Sequence, residues 1–186
     1  PVVALKGCAY LLADLPNSRG RSFADVDLLV PKAHLPTVEA RLSECGWRTA
    51  ELTPYDDRYY RKWAHELPPM THEEREVEVD LHHNLLMSTA RIGPAAGLLF
   101  DAARPVPSSR FLVLAPIDMT LHAMTHLMYN DDMAEALREL VDVDELLRHF
   151  GEHEPGFWDG FWPRAERLGL TRPAFLGLRH ALPLPR

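Results

Sequence analysis

The chain has few of the features that mark extracellular, membrane or nucleic-acid-binding proteins. Its 186 residues include two cysteines, Cys8 and Cys45, which are too few for a disulfide framework, so we expect a reducing, cytoplasmic setting. It lacks a run of 18 apolar residues, and this argues against a membrane partner. We also find no pattern of a positively charged signal peptide. Lysine and arginine number 20 against 27 acidic residues, and this net charge of −7 argues against a general nucleic-acid binder.

What the chain does have is enough apolar sequence for a core, because 46% of its residues are hydrophobic. It starts at Pro1 inside an apolar stretch and without Met, so we expect further residues upstream. Strand-like and mixed patterns extend to about residue 112, and helical periodicity dominates from Pro116 onward. We therefore predict an α+β fold, with a mixed β-sheet core and packed helices over residues 1–112 and a helical bundle over residues 113–186.

Two aspartates open the clearest strand pattern, in the segment RGRSFADVDLLVPK at 19–32. Strand residues i and i+2 point to the same face about 6.5–7 Å apart, so Asp25 and Asp27 lean the same way. Most such pairs are the solvent face of an antiparallel sheet. Here Leu29 shares the aspartates' face, which favours a buried pair with a function.

A second acidic strand, in EREVEVDLHHNLL, carries Asp80 and His82 on one face. If this strand lies beside the first, Asp80 converges with Asp25 and Asp27. Carboxylates of this kind suit Mg²⁺, which completes its shell with waters and phosphate oxygens. Two such ions about 3.5–4 Å apart support in-line attack at phosphorus. We predict that Asp25, Asp27 and Asp80 bind Mg²⁺ or Mn²⁺ and carry catalysis.

Four further residues are candidates for binding phosphate. Lys6 and Gly7 lie where the first strand gives way to a helix, a junction at which backbone N–H groups meet phosphates. Arg21 can fork onto phosphate oxygens or onto the aspartates, and His82 can orient a carboxylate or touch phosphate. Each also has a structural interpretation, as part of a turn or as a surface or core side chain. Residues 53–71 are predicted to form an extended arm.

The order of these motifs resembles that of a known family. L-K-G at 5–7, R-x-x-x-D-x-D-L-L-V at 21–30, E-V-D-L-H at 78–82 and a helical tail are similar to the uncharacterised nucleotidyltransferases of the DNA polymerase β-like superfamily. In the tail, His122, His126 and Asp142 match recurrent polar positions.

The resemblance implies a nucleotidyltransferase that moves a nucleoside monophosphate from an NTP, ATP included, to an acceptor hydroxyl and releases pyrophosphate. The acceptor would be a small molecule, a peptide or a protein. Asp25, Asp27 and Asp80 would hold the metals. Lys6, Gly7 and Cys8 would lie near the triphosphate.

Two alternatives remain open. His122 and His126 have the i, i+4 spacing of a helical zinc pair, which is the basis for a zinc-dependent hydrolase, although Ala123 replaces the glutamate of H-E-x-x-H. Cys8 stands where the superfamily usually has serine, and a cysteine is a poorer hydrogen-bond partner for phosphate. A degenerate member of the family would be a nucleotide-binding or partner protein.

Overall fold

The computed structural model describes residues 1–20, 22, 25–93, 95–107, 109–129 and 136–181. The strands within these ranges are β1 Val3–Ala4, β2 Asp25–Leu29, β3 Trp47–Thr49, β4 Met70–His72, β5 Glu78–His82, β6 Arg104–Pro105 and β7 Leu112–Val113. The helices are α1 Lys6–Leu12, α2 Leu35–Glu44, α3 Pro54–Lys62, α4 Ala96–Ala102, α5 Pro116–Tyr129, α6 Ala136–His153, α7 Phe157–Arg167 and α8 Thr171–Ala181.

The described strands form one mixed sheet in the order β3-β4-β5-β2-β1-β7-β6. The central pair, β2 and β5, is parallel, and its register places Asp27 opposite Asp80. On the other side of β2, β1 runs antiparallel to it, with Val3 opposite Leu29. The predicted α+β class, with a mixed sheet followed by C-terminal helices, is confirmed.

The strand pattern explains why β2 and β5 occupy the centre of the sheet. Leu29, Val79 and Leu81 are each at most 2% exposed, so both strands are buried as their apolar runs predict. The core continues into the helical tail, where Leu121 and Phe161 are fully buried. None of the described helices is long and apolar enough to cross a bilayer. The division into residues 1–112 and 113–186 stays a prediction.

The prediction of an extended arm over residues 53–71 is wrong, because α3 occupies half of it. Thr53 caps this helix by accepting a hydrogen bond from the Asp56 N–H at 3.2 Å, and proline stands in the first turn. Arg61 pairs with Asp57 one turn earlier and reaches Glu39 on α2 at 2.8 Å. These end contacts stabilise a helix that has no buried residue of its own.

Candidate active site

Two aspartates from neighbouring parallel strands meet at the centre of the sheet. The register of β2 and β5 puts Asp27 beside Asp80, and both side chains point to the same face as His82. Each of the three offers a potential metal-ligand atom, and these atoms lie within 4.8 Å of one another. The predicted convergence of carboxylates is therefore found for Asp27 and Asp80.

Asp27 is held by two nitrogen donors at a single oxygen. Lys6 Nζ and His82 Nε2 each lie 2.8 Å from Asp27 Oδ1, and the Asp27 side chain is almost fully buried. Burial alone would raise the pKa of Asp27. The hydrogen bond from His82 and the charge of Lys6 outweigh burial and hold that pKa well below its usual range.

The backbone brings Lys6 to this position. Leu5 N–H donates to the Asp27 carbonyl at 2.9 Å, which fixes the end of β1 beside β2. Lys6 then adopts φ of +44°, a left-handed conformation that is uncommon for residues other than glycine. The turn directs its ammonium group at the Asp27 carboxylate rather than toward solvent.

Asp80 is in a different state from its neighbour. It is half-buried, and its buried Oδ1 has no hydrogen-bond partner within the described part of the chain. Burial, followed by the negative charge of Asp27, raises the pKa of Asp80 to about 6. The charge of Asp27 is thus neutralised by Lys6 and His82, whereas the Asp80 carboxylate has no such partner for its Oδ1 among the described residues.

Two residues that the sequence analysis missed complete the surroundings of His82. His82 Nδ1 lies 3.1 Å from Glu66 Oε2, so its ring is placed between Glu66 and Asp27. Glu66 reaches this position through an isolated antiparallel bridge to His82. The ring of His65 lies against that of His82, with centroids 5.4 Å apart. Burial lowers the pKa of His65 to about 4.

The other predicted residues take varied positions. Asp25 is exposed at the start of β2, opposite Glu78, and is outside both groups of potential ligands among the described residues. Gly7 and Cys8 form the first turn of α1. Burial, and next the charge of Asp27, raises the pKa of the half-buried Cys8 thiol. Arg21 lies outside the described residues.

The histidine pair on α5 lies within the helical part of the chain. His122 is buried, and its pKa lies well below the usual value because of that burial. His126 Nδ1 contacts Glu139 Oε1 on α6 at 2.9 Å. No group of three potential ligands in the described ranges includes either histidine. This geometry gives no support to the zinc-hydrolase alternative.

Comparisons with known proteins place the chain in a family and give its fold a solved counterpart. The model of the family described as uncharacterised nucleotidyltransferase matches residues 1–184. No curated protein is significantly similar in sequence. The solution structure of the antibiotic-resistance factor ANT(2'')-Ia superposes with a TM-score of 0.54 at 13% identity, covering 98% of this chain and 85% of that one. At this identity, the likeness shows a shared fold.

Proposed function

Because the chain belongs to the uncharacterised nucleotidyltransferase family, we propose that it moves a nucleoside monophosphate from an NTP to an acceptor hydroxyl and releases pyrophosphate. The observation that carries this proposal is the juxtaposition of Asp27 and Asp80 on parallel strands, with a buried Asp80 oxygen that has no partner in the described residues. A transferred phosphoryl group needs positioning and neutralisation of charge, which a cation between two carboxylates provides.

The residues present fit a hard divalent cation. Asp27 and Asp80 offer oxygen ligands, and the two donors that the described residues direct at Asp27, Lys6 and His82, contact its Oδ1. A dication would also relieve the repulsion that raises the pKa of Asp80. We propose Mg²⁺ or Mn²⁺ as this ion, with Asp25, two residues before Asp27, as a further carboxylate for a second ion. Once bound, the cations neutralise charge on the phosphate oxygens.

The chain's own groups have distinct roles in this proposal. Lys6, the first residue of α1, brings a positive charge to the site, and the first turn of this helix, with Gly7 and Cys8, would face the triphosphate. His82 donates from Nε2 to Asp27 and fixes the orientation of that carboxylate. A pKa of about 6 leaves Asp80 mostly ionised at pH 7.5, as required of a metal ligand or of a base for the acceptor hydroxyl.

The acceptor in this proposal is a small hydroxyl-bearing molecule, with a peptide or protein hydroxyl as the alternative. A cavity of about 510 Å³ lies between the turn that precedes β2 and helix α6. This volume suits a small molecule. Its lining is polar and mixed in charge, with Arg19 and Ser22 from the turn and Asp142 and Glu145 from α6. That a structural neighbour is an antibiotic-resistance factor supports an acceptor of this size.

The test is incubation with each labelled NTP and Mg²⁺, followed by measurement of pyrophosphate release and of label on candidate acceptors. Asp27→Asn and Asp80→Asn should each lower pyrophosphate release by at least about a hundredfold, since each removes charge that positions the cation. Asp159→Asn, the same change on the exposed surface of α7, is the matched control and should retain wild-type release.

Two outcomes contradict the proposal. If Asp27→Asn releases pyrophosphate as fast as the wild type, Asp27 is not part of the active site. Tight binding of an NTP by the wild type, without pyrophosphate release for any NTP or acceptor, would instead favour a degenerate, nucleotide-binding protein. In that case Cys8→Ser tests whether the substituted turn is the reason, because serine restores a stronger hydrogen-bonding group there.

A further inference from the structure

We propose a second metal site, specific for Zn²⁺ and similar transition ions, formed by His65, Glu66 and His82. The three side chains offer ligand atoms that lie within 4.8 Å of one another. Two imidazoles and one carboxylate form a donor set that suits zinc, whereas Mg²⁺ prefers oxygen ligands alone. This proposal does not depend on nucleotidyl transfer, because neither Asp27 nor Asp80 is a ligand of the second ion.

The spacing of the ligand atoms is close to that of a tetrahedral zinc centre. Bonds of about 2.0–2.2 Å at tetrahedral angles place neighbouring ligand atoms roughly 3.3–3.5 Å apart. His82 Nδ1 lies 3.1 Å from Glu66 Oε2, and His65 Nε2 lies 3.7 Å from the same oxygen. These two distances fall within a few tenths of an ångström of the required one, and the three ligand atoms lie within 4.8 Å of one another, so small side-chain movements would bring them to this spacing.

His82 is already oriented as a ligand by the opposite side of its ring. Its Nε2 lies 2.8 Å from Asp27 Oδ1, and a hydrogen bond donated from this nitrogen leaves Nδ1 free to coordinate. Histidines that bind metals usually donate their second N–H to a carboxylate in this way. A metal ion binds the unprotonated Nδ1, so any proton that lies between Nδ1 and Glu66 would pass to solvent when the ion binds.

The other two ligands are accessible. The side chains of His65 and Glu66 are 27% and 29% exposed, so an ion can enter from solvent and a water can supply the fourth ligand. His65 Nδ1 is buried without a hydrogen-bond partner among the residues that the structure describes. A bound ion would join the segment at 65–66 to β5 and so fix the ring that contacts Asp27.

The experiment titrates the metal-free chain with Co²⁺, read by visible absorption, and with Zn²⁺, read by competition with a chromogenic chelator, both in millimolar Mg²⁺. His149 and His153 form a stacked pair on the surface of α6 that could bind the same ions, so all titrations use the His153→Ala background. We expect one ion per chain and the absorption of four-coordinate Co²⁺. Glu66→Gln and His65→Ala should each weaken binding at least about tenfold.

Matched variants separate this site from the proposed active site. Asp80→Asn removes no ligand of the second ion, so in this background it should retain the parent's Co²⁺ affinity even though it strongly lowers pyrophosphate release. Thermal unfolding with a chelator present checks that Glu66→Gln and His65→Ala are folded. If one variant does not fold, the other still tests the site, because each removes a different ligand. Unchanged affinity in both, loss of all binding in His153→Ala, or displacement of Co²⁺ by Mg²⁺ would overturn the proposal.

Discussion

Replacing Asp80 with asparagine should stabilise the metal-free protein while it removes the proposed activity. Asp80 is half-buried beside the ionised Asp27, and one of its buried oxygens has no partner in the described chain. Its pKa is raised to about 6, first by burial and then by the charge of Asp27. The folded protein therefore binds a proton at this site more tightly than the unfolded chain does, and ionisation of Asp80 destabilises the fold.

The magnitude follows from the difference between the folded and unfolded pKa values. An aspartate in an unfolded chain has a pKa of about 3.9, so a folded pKa of about 6 corresponds to roughly 3 kcal/mol of lost stability at high pH. Solvent screening of a half-buried carboxylate lowers this to about 1–2 kcal/mol. The loss develops as the pH rises from about 4 to about 6 and is complete above that range. Asparagine at position 80 has no charge, so the variant does not lose this stability.

The assay is thermal unfolding of the metal-free wild type and of Asp80→Asn across this pH range. At pH 7.5 the variant should unfold at a temperature higher by about 2–8 °C, and near pH 4 the two should unfold together. Asp25→Asn makes the same chemical change at an exposed position on the neighbouring strand β2 and should stay within about 0.5 kcal/mol of the wild type. Mg²⁺ should raise the unfolding temperature of the wild type more than that of Asp80→Asn.

The reasoning fails if Asp80→Asn is less stable than the wild type at pH 7.5. It also fails if the stability difference between the two proteins does not change with pH. Either result would mean that the Asp80 carboxylate already has a stabilising partner in the metal-free protein and needs no cation to neutralise it.

Three further measurements test other parts of the structure. Mg²⁺ affinity, measured by calorimetry, should be about fourfold weaker at pH 5.5 than at pH 7.5, because a carboxyl with a pKa of about 6 is mostly protonated at the lower pH; equal affinities would contradict this. Arg164→Ala should lower the free energy of unfolding, measured by urea denaturation, by about 3–5 kcal/mol, because it leaves the buried carboxylate of Asp118 without its bidentate guanidinium partner. Gly177→Ala should cost about 1–3 kcal/mol in the same assay, because the new methyl group would overlap Met124, whereas Gly97→Ala meets nothing within 4 Å and should cost nothing.

The central strands and the meeting of their aspartates could be predicted from the sequence. Alternating polar and apolar residues identify β2 and β5, and the same period determines which side chains share a face. Once the strands pair in parallel, the position of Asp80 beside Asp27 follows from the register. Helix α3 was predictable too, because Thr53 and the proline after it form a helix start that the extended-arm interpretation overlooked.

Other features depend on contacts that no local pattern contains. Glu66 belongs to the site only because the segment after α3 bridges back to His82, and no motif marks that segment. The choice of buried face on α6 is another such feature. Leu137 and Val141 are 71% and 46% exposed, whereas Val143 is buried, because the neighbouring helices determine which face of α6 is covered.

The uneven neutralisation of the two aspartates is best explained by function. Lys6 and His82 both contact Oδ1 of Asp27, and in the described part of the chain neither pairs with Oδ1 of Asp80, although the two carboxylates are neighbours in register. Stability alone would favour an uncharged residue at position 80, because an unpaired half-buried carboxylate destabilises the fold. Asp27 is held in place by Lys6 and His82, whereas the negative charge of Asp80 would be neutralised only when a cation binds. The expected destabilisation of the metal-free protein and the proposed affinity for a dication therefore have the same cause.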